Sequence, residues 1–387
     1  GWVDNYRDST HHGGIICVFR KNWQEMQGKT VQHGVGEHGA SSPLTGELAC
    51  GPETLSDSEL IQNREDMWAN LSKHTMDGPY YRERTGDLSK VKVPLLSAAN
   101  WGGQGLHPRG NFEGFMHAAS EQKWLEAHGG SHWAPFYTDY GVSLQRKFFD
   151  YFLKGQQNGW DKQPKVQLLI RHPGEKFVLR HENEWPIART QWTNYYLHPD
   201  GMSFSPMENS STKTIAYDAM GDGVTFSTPP LEQETEVTGP MALKLFVSSS
   251  TSDADIFAIL RVFDPQNKEV LFQGALDPKT PIAQGWLRAS HRKLDKEKTL
   301  PYRPYHAHDE RLWLEPGKPV ECQIEIWPTC IVLKKGHKLR LDVQPRDGVG
   351  SAPYTHFHCD YNAGATNTIH SGGDKPTYLL VPFIPEK

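Results

Sequence analysis

Cysteine is scarce, with five in 387 residues (Cys17, Cys50, Cys322, Cys330 and Cys359). None is spaced as CxxC, so neither a zinc cluster nor a dense disulfide framework is signalled. A reducing, cytoplasmic setting is the default expectation, with room for one bridged pair. No run of 18 apolar residues occurs, so no helix is expected to span a bilayer. Neither sign of charge dominates: 41 basic against 46 acidic side chains leaves a formal charge of −5. That balance argues against nucleic acid or an acidic membrane surface as the main partner. Internal repeats and low-complexity tracts are absent. So is any GxSxG pentapeptide, the small-residue elbow that presents a serine nucleophile between a strand and a helix. The chain opens on Gly1 with no leader, so its start is expected to be processed or to follow further sequence.

Turn formers and aromatics, by contrast, are abundant: 35 Gly, 27 Pro and 12 Trp. That composition favours β-sandwich architecture over a helical bundle, and the length allows two to three domains. Three textures follow one another. Residues 1–90 mix Trp, Met and charge with short helical patterns. One of these is Ser56–Leu71, which opens on a capping box at Ser56 and Glu59. Residues 91–158 read as an α/β unit. The apolar run Val93–Ala99 ends in Trp101-Gly102-Gly103, and Lys123–Ala127 ends in His128-Gly129-Gly130-Ser131-His132-Trp133. Tyr140, Leu144, Phe148 and Phe152 then recur at i+4 as one helix face, stopped at Gly155. From 159 to 387 the period becomes two, as in Val166/Leu168/Ile170, Val320/Cys322/Ile324/Ile326 and Leu339/Leu341/Val343. Ile256–Phe263 is apolar enough to be buried on both faces. A jelly-roll β-sandwich is expected there, with an edge strand at Thr377–Val381 closed by Pro382.

Strand ends in α/β units face the ligand crevice, so both Gly-rich loops are expected to border a site. Within them, His132 is the candidate catalytic residue. Gly129 and Gly130 let the backbone turn sharply and present an imidazole whose pKa suits general-base work. The competing interpretation is a loop histidine packed on Trp133. Ser131 has the wrong spacing for a nucleophile, and the SxxK of Ser210–Lys213 lies in a polar loop. His306/His308 with Asp309, and His356/His358 with Asp360, have two-residue spacing that could serve a metal, but no third ligand is fixed. Solvated loop histidines are the expectation. Asp253 and Asp255 read as a turn before a strand rather than a calcium loop. Trp185, Trp192, Tyr195 and Tyr196 read as packing residues, with carbohydrate stacking the alternative.

Lys92–Leu96 through Asn100-Trp101-Gly102-Gly103, Gly129–Trp133 and Gln145–Gly155 resemble the serine hydrolases related to cocaine esterase, α-amino-acid ester hydrolases and X-Pro dipeptidyl-peptidases. Ser252–Ile256, Gly285–Arg292, Leu314–Gly317, Lys335–Leu341 and Asn367–His370 carry matching marks. Asp4–Asp8 followed by Gly13-Gly14-Ile15 is similar to the segment after the family's nucleophile helix. The resemblance implies the end of a hydrolase strand with a helical cap (1–90), the C-terminal part of an α/β-hydrolase core (91–158) and a jelly roll (159–387). It also implies ester or amide cleavage, acylase or dipeptidyl-peptidase-like, through an acyl-enzyme on a Ser-His-Asp triad, with His132 as the base and no metal or organic cofactor. The expected partners are a small ester or amide substrate and an N-terminal hydrolase segment that carries the nucleophile upstream of Gly1. Without that segment the α/β part is expected to expose a sheet edge and to lack independent stability. Gly103 stands where the family usually carries its acid, which leaves Asp4, Glu113 and Asp139 as substitutes. The alternative is a non-catalytic binding or assembly protein with a degenerate hydrolase remnant.

Overall fold

A computed structural model describes residues 3–30, 41–48, 56–62, 65–347, 356 and 362–386. The chain enters through a π-helical turn, Tyr6–Thr10, and a hairpin of β1 (His11–His12) and β2 (Ile15–Ile16). Short helices follow: α1 (Phe19–Thr30), α2 (Asp57–Gln62), α3 (Met67–Lys73) and α4 (Pro79–Arg82). The helical pattern expected over Ser56–Leu71 is divided between α2 and α3, each with its own cap. Ser56 and Glu59 exchange side-chain-to-backbone bonds, and Asp66 accepts from the Ala69 N–H at 3.0 Å.

Next come β3 (Leu95–Asn100), α5 (Pro108–His117), β4 (Lys123–His128) and α6 (Asp139–Lys154), then β5 (Val166–His172) and β6 (Lys176–Glu182). They build a four-stranded sheet in the order β3-β4-β5-β6, parallel through β5 and antiparallel at β6. The i+4 pattern from Tyr140 onward does form α6. Thr138 Oγ1 accepts from the Gly141 N–H at its start, and Gly155 ends it at φ +66°, a left-handed cap that favours glycine. Trp124, Phe148 and Trp160 pack between α6 and one sheet face. On the other face Trp101, Phe112, Leu125, Val166 and Leu168 form a second core.

The remaining strands are β7 (Gln191–His198), β8 (Ser203–Ser205), β9 (Lys213–Asp218), β10 (Val224–Ser227), β11 (Thr235–Ser249), β12 (Asp255–Phe263), β13 (Ala283–Arg288), β14 (Val320–Leu333), β15 (Lys338–Gln344), β16 (Thr366–Ser371) and β17 (Tyr378–Ile384). They form one sheet in the order β14-β13-β12-β15-β10-β8-β7-β17-β11-β16-β9. Because β11 also pairs with β14, nine of these strands close into a barrel-like ring, and β16 and β9 extend from β11. Its interior is apolar, from Leu197 and Phe204 through Ile256, Leu260, Ile324 and Val343. β12 is buried along almost its whole length, as its composition implies.

Two expectations are corrected. The Val166/Leu168/Ile170 alternation belongs to the four-stranded sheet, because alternation shows that one face is buried but not against what. Thr377–Val381 is not an edge, since β17 lies between β7 and β11 and runs through Pro382. Proline lacks the N–H that an interior strand needs. Here the β11 ladder is interrupted between Val237 and Ala242, at a bulge where Gly239 has φ +152°. A Cβ on Gly239 would stand 2.9 Å from Pro382 Cβ, so glycine and proline share the same break in the ladder.

Candidate functional site

Parallel pairing puts Asn100 opposite His128, so β3 and β4 release their loops side by side. The β4 loop turns on two glycines. A Cβ on Gly129 would lie 1.9 Å from Phe177 Cε1, and Gly130 sits at φ +79°. A side chain is obstructed at Gly129 and strained at Gly130, and together the two glycines deliver His132. Its backbone N–H donates to Ala275 O at 2.8 Å, which ties the loop to the barrel. Asn100 Nδ2 donates to the carbonyls of Gly130 (2.9 Å) and Ser131 (3.3 Å), holding the loop from the β3 side.

The His132 ring stacks on His107, at the N-terminus of α5, with centroids 4.7 Å apart and planes 16° from parallel. Trp133 meets it edge-on at 5.7 Å, so packing on Trp133 and placement at the strand end are both present. Burial pushes the His132 pKa down, and pushes His107 to about 3, because desolvation opposes the imidazolium. No side chain among the described residues hydrogen-bonds to His132 Nδ1, which is buried.

His132 borders a hollow of about 420 Å³ between the β3–β4 face and α6, walled by Leu96, Ala98, Leu144 and Phe148. Its polar content is concentrated at Glu126 and His128. Glu126 Oε2 is 2.7 Å from His128 Nδ1, and Tyr140 OH donates to Glu126 Oε1 at 3.3 Å. Phe136 and Tyr137 stand exposed beyond His132. On its outer side β3 pairs with no described strand.

Of the three substitute acids, two have partners of their own and the third is exposed. Asp4 is engaged by Arg7 (2.8 Å) and Tyr305 OH (3.2 Å), and Glu113 by Arg303 and by His117 (3.3 Å). Asp139 is exposed in the first turn of α6. At Gly103 an added Cβ would lie 3.2 Å from Pro108 Cδ and 3.9 Å from Asn100 Oδ1, close to His132's own surroundings.

Other candidates have structural explanations. Ser131 Oγ accepts from the Ala134 N–H, and Lys213 pairs with Asp200 across an exposed loop. Asp253 accepts from the Ser290 N–H and hydroxyl and Asp255 pairs with Arg288, the expected turn before β12. Trp185 packs on Phe112, and Trp192 stacks on Tyr302. The histidine pairs are the correction. His306 and His308 are buried rather than solvated, with His308 Nδ1 3.0 Å from His291 Nδ1. His356 is buried between Asp347 and His12, whereas His358 and Asp360 lie outside the described residues. Among the described residues no group of three His, Cys, Asp or Glu side chains is placed to hold a metal. Cys17, Cys322 and Cys330 are free, buried thiols, and Cys50 and Cys359 fall outside the described residues.

Residues 158–380 match the model of the X-Pro dipeptidyl-peptidase C-terminal non-catalytic domain. The chain belongs to the X-Pro dipeptidyl-peptidase-like hydrolase family. Its overall fold is that of a CocE/NonD family hydrolase from Staphylococcus aureus, at a TM-score of 0.87 and 29% identity, over 100% of this chain and 66% of that one. Cocaine esterase of Rhodococcus sp. (strain MB1 Bresler) is 24% identical over 63% of this chain and 46% of its own length. An α-amino-acid ester hydrolase shares the fold at a TM-score of 0.66 and 13% identity. The chain thus spans about half the length of the cocaine esterase and just under two thirds of the Staphylococcus aureus hydrolase.

The sequence did not mark Asn100, His107 or the Glu126–His128 pair as belonging to the surroundings of His132. The two-residue spacing of Glu126 and His128 on a strand was a usable signal, since it puts both on one face. Nothing local marks Asn100 or His107 as neighbours of His132.

Proposed function

We propose that this chain is the cap, the C-terminal part of the α/β-hydrolase core and the jelly roll of a serine hydrolase that cleaves an ester or amide through an acyl-enzyme. In this reading the four-stranded sheet is the core and the nine-stranded ring the jelly roll. The nucleophilic serine belongs to a segment outside this sequence that covers the open side of β3 and the hollow below His132. The observation that carries the reading is the placement of His132 on a double-glycine turn at the carboxyl end of a parallel strand, above an apolar hollow of substrate size.

The chemistry has two halves. The serine Oγ attacks the acyl carbon while His132 takes its proton, then returns it to the departing alcohol or amine as the C–O or C–N bond breaks. Water repeats the attack with the same base, releasing the acid and restoring the serine. Apolar hollow walls and the exposed Phe136 and Tyr137 suit an apolar or aromatic acyl group.

The reading is tested with p-nitrophenyl acetate on the protein as the cell makes it. Turnover is expected for the wild type and a fall of at least about 10³-fold for His132→Ala, with the fold retained. No turnover by the wild type, or equal turnover by the variant, overturns it. The non-catalytic binding protein is the second reading, favoured by the empty place at Gly103 and the bare His132 Nδ1, and the first of those outcomes selects it.

A further inference from the structure

A base of this kind needs its far nitrogen held, so that one tautomer is fixed and the ring faces the nucleophile. Among the described residues no carboxylate does this. Glu126 is committed to His128 and Tyr140, and Asp4 and Glu113 to arginines. Asn100, however, is 4% exposed at the end of β3, and its amide orientation is fixed because Nδ2 donates to Gly130 O and Ser131 O, directly before His132. Oδ1 therefore points away from those carbonyls, and it is a buried acceptor without a partner. His132 Nδ1 is a buried ring nitrogen without a partner in the same loop cluster. Two such orphans of complementary type are costly apart and cheap together. Asn100 Oδ1 also lies beside the space that Gly103 leaves open, 3.9 Å from where a Cβ there would stand.

We propose that Asn100 is the positioning residue for His132. Its Oδ1 accepts the Nδ1 proton in the working enzyme, so that the amide does the orienting work of a carboxylate and the stacked His107 limits ring rotation. The arrangement is Ser-His-Asn, with a neutral third member that fixes the tautomer without stabilising the imidazolium by charge. His107, which caps α5 and stacks on the ring, and His128 at the end of β4 are titratable groups that act on His132. This inference rests on His132 being the base.

The test uses p-nitrophenyl acetate and the protein as the cell makes it. Asn100→Ala is expected to lower kcat about 10- to 100-fold with KM changed less than about threefold. Gly103→Asp, which leaves Asn100 in place, is expected to move the acidic limb of the pH–kcat profile upward by about one pH unit, because a carboxylate stabilises the imidazolium, which must lose its proton before the ring can act as the base. If His132→Ala is inactive but Asn100→Ala keeps kcat and Gly103→Asp keeps the pH profile, the inference is overturned and the hydrolase reading stands. If His132→Ala retains turnover, the hydrolase reading itself falls. Should Asn100→Ala fail to fold, Asn100→Asp decides instead: a carboxylate in place of the amide is expected to raise the acidic limb by about one pH unit, and an unchanged limb overturns the inference.

Discussion

Arg109 shows what a single residue holds in this fold. It is 3% exposed and bonds Asp8 of the entering segment (2.8 Å) and Glu325 of β14 (2.9 Å). Arg7 does the same between Asp4 and Asp77, both at 2.8 Å. Removing one partner of such a pair strands a buried charge, which costs far more than the pair itself contributes. Arg109→Met, similar in length but uncharged, is expected to destabilise the protein by about 3–5 kcal/mol in urea unfolding. Adding Asp8→Asn and Glu325→Gln should recover a large part of that loss, and a single variant within about 0.5 kcal/mol of wild type would contradict this account. At this scale the sequence was partly legible. The placement of His132 at a strand end could be read because its signal is local, an apolar run followed by two glycines. Asn100 and His107 could not, because each meets His132 only through the folding of separate elements.

Elements were legible where their signal is periodic and confined to themselves. The α6 face, its Thr138 cap and its Gly155 stop are all contained in one stretch of sequence. The strand β17 is the counterexample, since Pro382 is acceptable only because Gly239 bulges in a distant strand. The β1–β2 hairpin is a third case, in which the barrel dictates the turn. Gly13 has φ +56° and accepts the Arg288 N–H at 2.8 Å, and a Cβ there would lie 2.0 Å from Trp286 O. Both the backbone conformation and the close approach require glycine. Gly13→Ala is expected to cost about 2–4 kcal/mol through strain and displacement of the hairpin. Faster hydrogen exchange at Ile15 and Arg288 would confirm it, and exchange unchanged from wild type would contradict it.

For the molecule as a whole, the junction between the entering segment and the barrel is built largely from buried histidines. Tyr6 stacks on His11 at 4.6 Å, and His12 Nδ1 is 2.8 Å from His356 Nε2. Burial pushes His11, His291 and His306 to about 3, and His12 and His308 well below their usual range, with Arg7, Arg288 and Arg311 as neighbouring cations. These groups bind protons more weakly folded than unfolded. Stability is therefore complete above about pH 6.5 and falls as pH drops from there toward 3. Each of the three histidines near 3 contributes a loss of about 2 kcal/mol by pH 5. Burial of Asp8 and Glu325 raises their pKa values and acts in the opposite direction at lower pH. Urea midpoints should fall steadily from pH 7 to pH 5 and recover on neutralisation, and a flat profile would contradict this reading. Sequence alone could not show it, because nineteen histidines carry no mark of which are buried.

The whole-molecule claim, that His132 serves a nucleophile carried outside these 387 residues, is open to one direct measurement. The protein as the cell makes it would be labelled with a fluorophosphonate, and the modified serine located by peptide mass spectrometry. One adduct per molecule is expected, on a serine outside this sequence, formed at least about 10²-fold more slowly in His132→Ala. An adduct on a serine within this sequence, or no adduct at all, would contradict the account.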